Sequence, residues 1–399
     1  MSRFTLLIFL LFFAFLTAEA SPRLSNPVFQ SLSTKNGLPQ DVVNDIVVDE
    51  EGFVWIATEG GAVRWDGVNT RRITGPNNTL VDSSIYKLTL QENKALWFSV
   101  YGQGVFYLDL STQEVIQIEP KPYHELEDFI QHAEFFHWQD ESNLIIALGE
   151  EVQRFNTQTN TLETIATLSK TEIENFHSIR AAITVNNYLL VATTTGLFAN
   201  DLNDKDLSLT PVEYLNGIET NLDNANAKFL MLDNSDRVWL STVENVFVAD
   251  KSKLLAQLRG ASSGAFERVV DQTNVWTMEE AKDDSFWLGT NRGLFSLTKT
   301  AAGWEHEHIL EPHNGTTAIS DKKITAIAKD ETGNIWLSSI YAGALYFGVK
   351  SADIFTIQNE RFGKEQSLTS HVTWAFAETE PNKLWIGTSN GLNHYDFST

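Results

Sequence analysis

Three clusters in the sequence hold residue types capable of chemistry. Gly260-Ala261-Ser262-Ser263-Gly264 matches Gly-x-Ser-x-Gly, the elbow that exposes a serine nucleophile in some hydrolases. That elbow needs a strand before it and a helix after it. Here a charged, helix-forming stretch (Lys251 to Arg259) comes first, and Phe266 to Val270 reads as a strand, so a Gly/Ser loop is expected. Glu305-His306-Glu307-His308 puts two imidazoles on one face of a strand, as period two dictates, with His313 nearby. A metal centre needs three or four convergent ligands. An outer strand with two histidines does not supply them, and no metal ligand is assigned. The carboxylates of Asp49, Asp233, Asp283 and Asp330 stand in Asp-x-x-Gly-like turns, where Asp accepts local backbone hydrogen bonds. A glycosidase pair needs two carboxylates set apart across a cleft, a relation that sequence does not display. No P-loop and no Gly-x-Gly-x-x-Gly after a strand is present. The reading therefore assigns no catalytic residue and no cofactor.

The elements that carry these turns repeat. Asp49 to Asp66 reads turn, β-rich stretch with a Trp, Gly60-Gly61 turn, second strand; Asp330 to Phe347 and Asn382 to Asp396 repeat the phrase. The anchor of each copy falls at Trp55, Trp97, Leu144, Leu189, Trp239, Trp287, Trp336 and Trp385, so the interval runs from 42 to 50 residues. A period of about 40–50 residues with several strands per unit marks a propeller blade. A strand precedes each anchor strand, as at Ile85 to Leu90, and a fourth follows the Gly-led one, as at Asn69 to Ile73. The fold class is all-β: a propeller of four-stranded antiparallel blades, whose radial repetition leaves only short, protected edges. The anchor Trp is expected to be a packing device that fills the gap between facing sheets. Leu144 and Leu189 mark degenerate third and fourth repeats, and the stretches 120–140 and 252–264 read as insertions on one rim.

All the turns between the anchor strand and the Gly-led strand emerge on one face, around the central channel. Tyr101, Gln103, Asn291, Arg292, Tyr341 and Asn390 stand in them and are the candidate ligand-binding residues. Loops on a rigid scaffold hold binding residues, and Tyr and Arg offer stacking and directional hydrogen bonds.

Two closures of the ring are open. With seven blades, Phe29 to Ser33 completes the Trp336 repeat, and an eighth repeat is left over. With eight, Ile354 to Gln358 completes it, and Phe29 to Ser33 completes the Trp385 repeat. The domain reading is a signal peptide over 1–20, a seven-repeat propeller over 21–350 closed by the strand at 29–33, and an eighth repeat over 351–399. The leader has Arg3, an apolar run Leu6 to Leu16 and Ala18-Glu19-Ala20 as the cleavage site. No cysteine is present, which excludes disulfides, a thiol nucleophile and Cys-ligated zinc. A formal charge of -23 excludes a nucleic-acid binder, which clusters Lys and Arg.

Leu32 to Gly67 and Ser367 to Asp396 resemble the repeat of the two-component regulator propeller family, and the resemblance spans most of the chain after the leader. It implies a ligand-sensing ectodomain, periplasmic or secreted, of a two-component or diguanylate-cyclase type signalling protein. In that family seven-bladed propellers are followed by a β-sandwich, a membrane helix and an output module. This chain stops one repeat beyond the first propeller, and the expectation is a sensor truncated before its output. The ligand implied is small, an oligosaccharide or a peptide. A homodimer would form through C-terminal regions beyond Thr399. The alternatives are a propeller enzyme acting on polysaccharide and a protein-interaction scaffold.

Overall fold

The structure, a computed structural model, describes residues 29–75, 80–92, 94–118, 133–148, 151–168, 179–212, 226–261, 264–281, 284–309, 323–340, 342–348, 368–370, 372–380 and 383–396. The proposed leader, Ser262 of the Gly-x-Ser-x-Gly match, His313, Tyr341 and the strand at Ile354 to Gln358 lie outside these residues.

Two compact units divide the chain: Phe29–Val349, and a second unit that includes 350–399. The first contains seven four-stranded antiparallel sheets. Blade 1 consists of Val43–Val48, Val54–Thr58, Gly61–Trp65 and Thr70–Ile73, from inner to outer strand. The inner strands of the other blades are Ile85–Gln91, Phe136–Trp138, Ile179–Val185, Ala227–Leu232, Val275–Glu280 and Ile324–Lys329. Each packs against the next, and the last packs against the first, so the seven blades close into a ring around one axis.

The seventh blade takes its outer strand from the other end of the chain. Gln30–Leu32 pairs antiparallel with Gly343–Gly348, with Leu32 opposite Ala344. Of the two closures, the seven-bladed one is therefore realised. The join is tight: a Cβ on Gly343 would meet the carbonyl of Leu32, and Gly343 sits at φ +75°, where side chains are rare. The second unit contains a three-stranded sheet, Thr373–Glu380, Lys383–Thr388 and Gly391–Asp396.

The core lies between blades. Trp55 packs with Ile85, Leu96 and Phe98 of the next blade, Trp239 with Val275 and Phe286, and Trp336 with Val43 and Ile56 across the closure. The anchors Trp55, Trp97, Trp239, Trp287 and Trp336 are buried, as are Leu144 and Leu189 in the degenerate blades. The helix Lys251–Leu258 sits in the 252–264 insertion and buries Leu254 and Leu255.

The Asp turns do more than bend the chain. Asp49 accepts the backbone N–H groups of Glu51 and Phe53 with one oxygen and the Trp55 indole N–H with the other, at 2.8 Å. Asp233 does the same for Trp239 at 2.8 Å and Asp330 for Trp336 at 3.2 Å. The interval is six residues each time. In blade 2 Gln91 holds the Trp97 indole at 3.4 Å over the same interval. The motif thus ties turn and anchor together and satisfies the polar atom of a buried indole.

Candidate functional site

Some Gly-side turns are tied locally. In blades 1 and 6 a Thr at the end of the anchor strand donates its hydroxyl across the turn, from Thr58 to the Gly61 carbonyl at 2.7 Å and from Thr290 to that of Gly293 at 2.9 Å. The residue after the strand then donates its N–H to the carbonyl that precedes the inner strand: Tyr101 to Ser84, Asn291 to Asn274, Ile340 to Lys323. The Gly-side turns and the starts of the inner strands therefore share one face of the ring.

Of the six turn residues proposed from sequence, Tyr101 and Gln103 stand on blade 2 and Asn291 and Arg292 on blade 6. Tyr101 is 64% exposed. The Gln103 amide donates to the Ser83 hydroxyl at 3.0 Å, and the Arg292 carbonyl contacts the His308 imidazole at 2.8 Å. Asn390 donates to the Thr369 carbonyl at 3.4 Å in the second unit, so it is not a residue of the ring. Blades 2 and 6 are not neighbours, and these turns do not form one cluster.

What does converge is a second set of residues on the same face. In blade 3 the buried Ala133 lies three residues ahead of the inner strand, and the other six inner strands begin with a buried small or branched residue: Val43, Ile85, Ile179, Ala227, Val275 and Ile324. Directly after it the ladder slips. Val43 pairs with Thr58 and Asp45 with Ala57, which leaves Asn44 out of register. The same slip frees Tyr86, Arg180, Lys228 and Trp276, and the slip in blade 7 spans Thr325. A bulge of this kind re-aims one side chain and is common beside functional sites. Counting from Ala133, Glu134 holds the corresponding place in blade 3. The mouth of the channel is thus ringed by Asn44, Tyr86, Glu134, Arg180, Lys228, Trp276 and Thr325.

These residues bond from blade to blade. The Asn44 amide donates to the Ile85 carbonyl at 2.8 Å, and the Thr325 hydroxyl donates to the Asn44 carbonyl at 3.2 Å, across the closure. Arg180 pairs with Glu134 at 3.5 Å. Lys228 donates to the Asn274 side-chain oxygen at 2.8 Å. The Lys228 and Lys323 ammonium groups lie 3.7 and 3.3 Å from the centre of the Trp276 ring.

Burial, with like-charge repulsion from Lys323 and then Arg180, pulls the Lys228 pKa down to about 8. Burial, then Lys87 and Arg180, lowers that of Lys323. Lys323 stands on blade 7, Lys87 on blade 2 and Arg180 on blade 4. Charges on such separated blades feel one another because they project toward a common axis. Burial, then Glu134, pushes the Tyr86 phenol up. Burial raises Asp45, against the pull of Lys87 at 3.8 Å. The mouth as a whole is cationic and aromatic, in a chain of formal charge -23.

Sequence reasoning missed this set because it looked for variable turns. The available signal was the residue after the buried first position of each inner strand, where the copies read Asn, Tyr, Glu, Arg, Lys, Trp and Thr. The outer strand Gly303–His308 carries the paired histidines; His308 stacks on Phe295 at 4.4 Å. No cluster of three or more metal-ligating side chains occurs among the described residues. A cleft of about 390 Å³ between blades 1 and 2 is lined by Arg64, Arg71, Arg72 and Glu114. No helix among the described residues is long and apolar enough to cross a membrane.

Residues 37–60 match the family model described as two component regulator propeller. No curated protein matches the chain in sequence. Among solved structures, the extracellular domain of the hybrid two component system BT3049 from B. thetaiotaomicron is similar with TM-score 0.68 and 17% identity, over 93% of this chain and 48% of that one. The extracellular domain of the one component system BT4673 from the same organism gives 0.63 and 18%, over 94% and 53%. Virginiamycin B lyase from Staphylococcus aureus gives 0.56 and 11%, over 80% and 98%. The chain spans about half the length of the two ectodomains it resembles. It carries a two component regulator propeller repeat over residues 37–60, set in a β-propeller of the kind those extracellular domains contain.

Proposed function

We propose that this chain is the exported, ligand-sensing propeller of a signalling protein, and that the ligand binds at the channel mouth ringed by Asn44, Tyr86, Glu134, Arg180, Lys228, Trp276 and Thr325. The observation that carries the reading is the recurrent bulge. Six inner strands give up ladder register at the same place and aim polar or aromatic side chains at one mouth. The turn residues Tyr101, Gln103, Asn291 and Arg292 lie on the same face and would form an outer rim. The likeness to extracellular domains of two-component systems supports export and a signalling context. Binding alters output only if the ligand favours one arrangement of the protein over another.

A thermal-shift screen of oligosaccharides and peptides tests this. A ligand at 100 times its Kd stabilises the folded state by about 2.7 kcal/mol, which reads as a clear rise in melting temperature. Trp276→Ala and Tyr86→Ala should abolish the rise. The reading fails if no member of the screen shifts the wild-type protein, or if every shift survives both substitutions. A turnover assay on the same polymers separates sensor from enzyme, since product formation would establish the latter.

A further inference from the structure

Resting on the ligand-binding reading above, we infer that the mouth takes a small organic anion on a hydroxyl-bearing scaffold. Lys228, Lys323 and Arg180 would hold the anion, and the Trp276 indole N–H would be a further donor. The anionic group is a carboxylate, a sulfate ester or a phosphate ester.

The argument begins with pairing. The chain has 52 acidic and 29 basic side chains, so a cation without an acidic neighbour is unexpected. Arg180 has Glu134 and Lys87 has Asp45. Among the described residues, Lys228 and Lys323 have no carboxylate within ion-pair distance. Their ammonium groups rest instead on one indole, Trp276. Two like charges drawn to a single ring, with a third cation near enough to repel Lys228, make a cluster whose missing member is negative.

Unmet hydrogen bonds point the same way. The Trp276 indole nitrogen is buried and has no acceptor. Buried polar atoms without partners are rare, and each calls for an explanation. The side-chain oxygen of Asn226, one residue before the inner strand of blade 5, is also buried without a partner. Asn226 corresponds to Asn274 and Lys323 in blades 6 and 7. An anion would satisfy the indole and the cations, and a ligand hydroxyl would satisfy Asn226. A neutral saccharide would leave the charges uncompensated; an anion without a hydroxyl, such as sulfate, would leave Asn226 unmet. The arginine cleft between blades 1 and 2 lacks these features: Arg72 pairs with exposed Asp82 at 3.9 Å and Arg64 stacks on Phe53.

The site should also respond to pH. Lys228 faces Lys323 and Arg180, with Lys87, Asp45, Glu134 and Tyr86 as the other titratable groups of the mouth. Lys228 loses its proton at about pH 8 in the free protein. A bound anion favours the protonated form, so affinity falls as pH rises from 7 to 9.

The test measures binding of D-glucuronate, glucose 6-sulfate and glucose 6-phosphate to the full chain by calorimetry, at constant ionic strength, with D-glucose as control. At least one of the three anions should bind, and which one identifies the anionic group; glucose should not. Lys228→Met and Lys323→Met should each weaken binding at least tenfold. Lys228→Arg, which keeps the charge, should retain binding, and Lys253→Ala, an exposed cation paired with Asp250, should change nothing. Without ligand, Lys228→Met should melt close to the wild type, because relief of the repulsion from Lys323 and Arg180 offsets the lost Asn274 hydrogen bond and Trp276 contact. Glucose binding as well as glucuronate, or anion binding unaffected by Lys228→Met, overturns the anion assignment and leaves the ligand-binding reading standing. The same holds if only neutral oligosaccharides or peptides bind the mouth. If nothing binds in either experiment, both fall.

Discussion

Asp233→Ala should be among the most damaging single substitutions in the ring. The Asp233 side chain is wholly buried and accepts four hydrogen bonds: from the N–H groups of Ser235 and Arg237 at 3.0 and 2.8 Å, from Arg237 Nε at 2.6 Å and from Trp239 Nε1 at 2.8 Å. Arg237 is 7% exposed, and its other arm reaches Asp284 of the next blade at 2.8 Å. Burial alone would lower the Arg237 pKa, but the two carboxylates raise it, so the guanidinium stays charged. Removing Asp233 leaves that charge with one of its two partners and strands a fully buried indole N–H. Breaking a buried pair costs about 3–5 kcal/mol, and a stranded donor about 1–3. These costs overlap, and Asp284 retains part of the pair, so the expected loss is about 4 kcal/mol. Asp330→Ala, at a site with a longer indole bond and no arginine, should cost about 2 kcal/mol. Urea unfolding followed by Trp fluorescence measures both. An Asp233→Ala protein within about 1 kcal/mol of the parent would refute the clasp, as would the reverse order of the two variants.

Trp55→Ala should cost about 3–5 kcal/mol, since a 2% exposed indole is lost between blades; urea midpoints of parent and variant check it. Gly343→Ala should cost about 2–4 kcal/mol, because the new Cβ meets the Leu32 carbonyl in a left-handed backbone. An undiminished midpoint would mean that Gln30–Leu32 does not close the ring. Burial lowers the pKa of His137 to about 4, and its Nε2 accepts the Thr184 N–H at 3.0 Å. A depressed folded pKa means that the unfolded chain takes the proton first. Stability is therefore full above about pH 6.5 and declines as pH falls from about 6.5 through about 4, by about 3 kcal/mol from this residue. His137→Gln should flatten that part of the stability–pH curve.

The Asp turns illustrate how much of the ring was legible. Their backbone role follows from residue type, and the interval of six to the Trp is visible in the sequence. That the second carboxylate oxygen reaches the indole was not visible, because it depends on how the turn folds back over the anchor strand. The candidate site was less legible still. That Asn291 and Arg292 share a face with the starts of the inner strands is legible, since the Gly turns all follow the same strand. Asn390 belongs to the second unit, although its repeat reads like the others. Lys228 and Trp276 went unnoticed because a bulge leaves no mark in an alternating pattern.

By itself the sequence determined the repeat, the four-stranded blade, the buried anchors and the tie between Phe29 to Ser33 and the last blade. These depend on local pattern: a period of two within strands, turn residues at fixed places, and bulky apolar residues at a regular interval. Tertiary structure alone decided that seven blades close, and that Lys228, Lys323, Arg180 and Trp276 meet. Those groups lie up to 143 residues apart along the chain, from Arg180 to Lys323. Closure rests on the pairing of Gln30–Leu32 with Gly343–Gly348. Convergence rests on a slip in six of the seven inner strands, which exists only when the strand is paired.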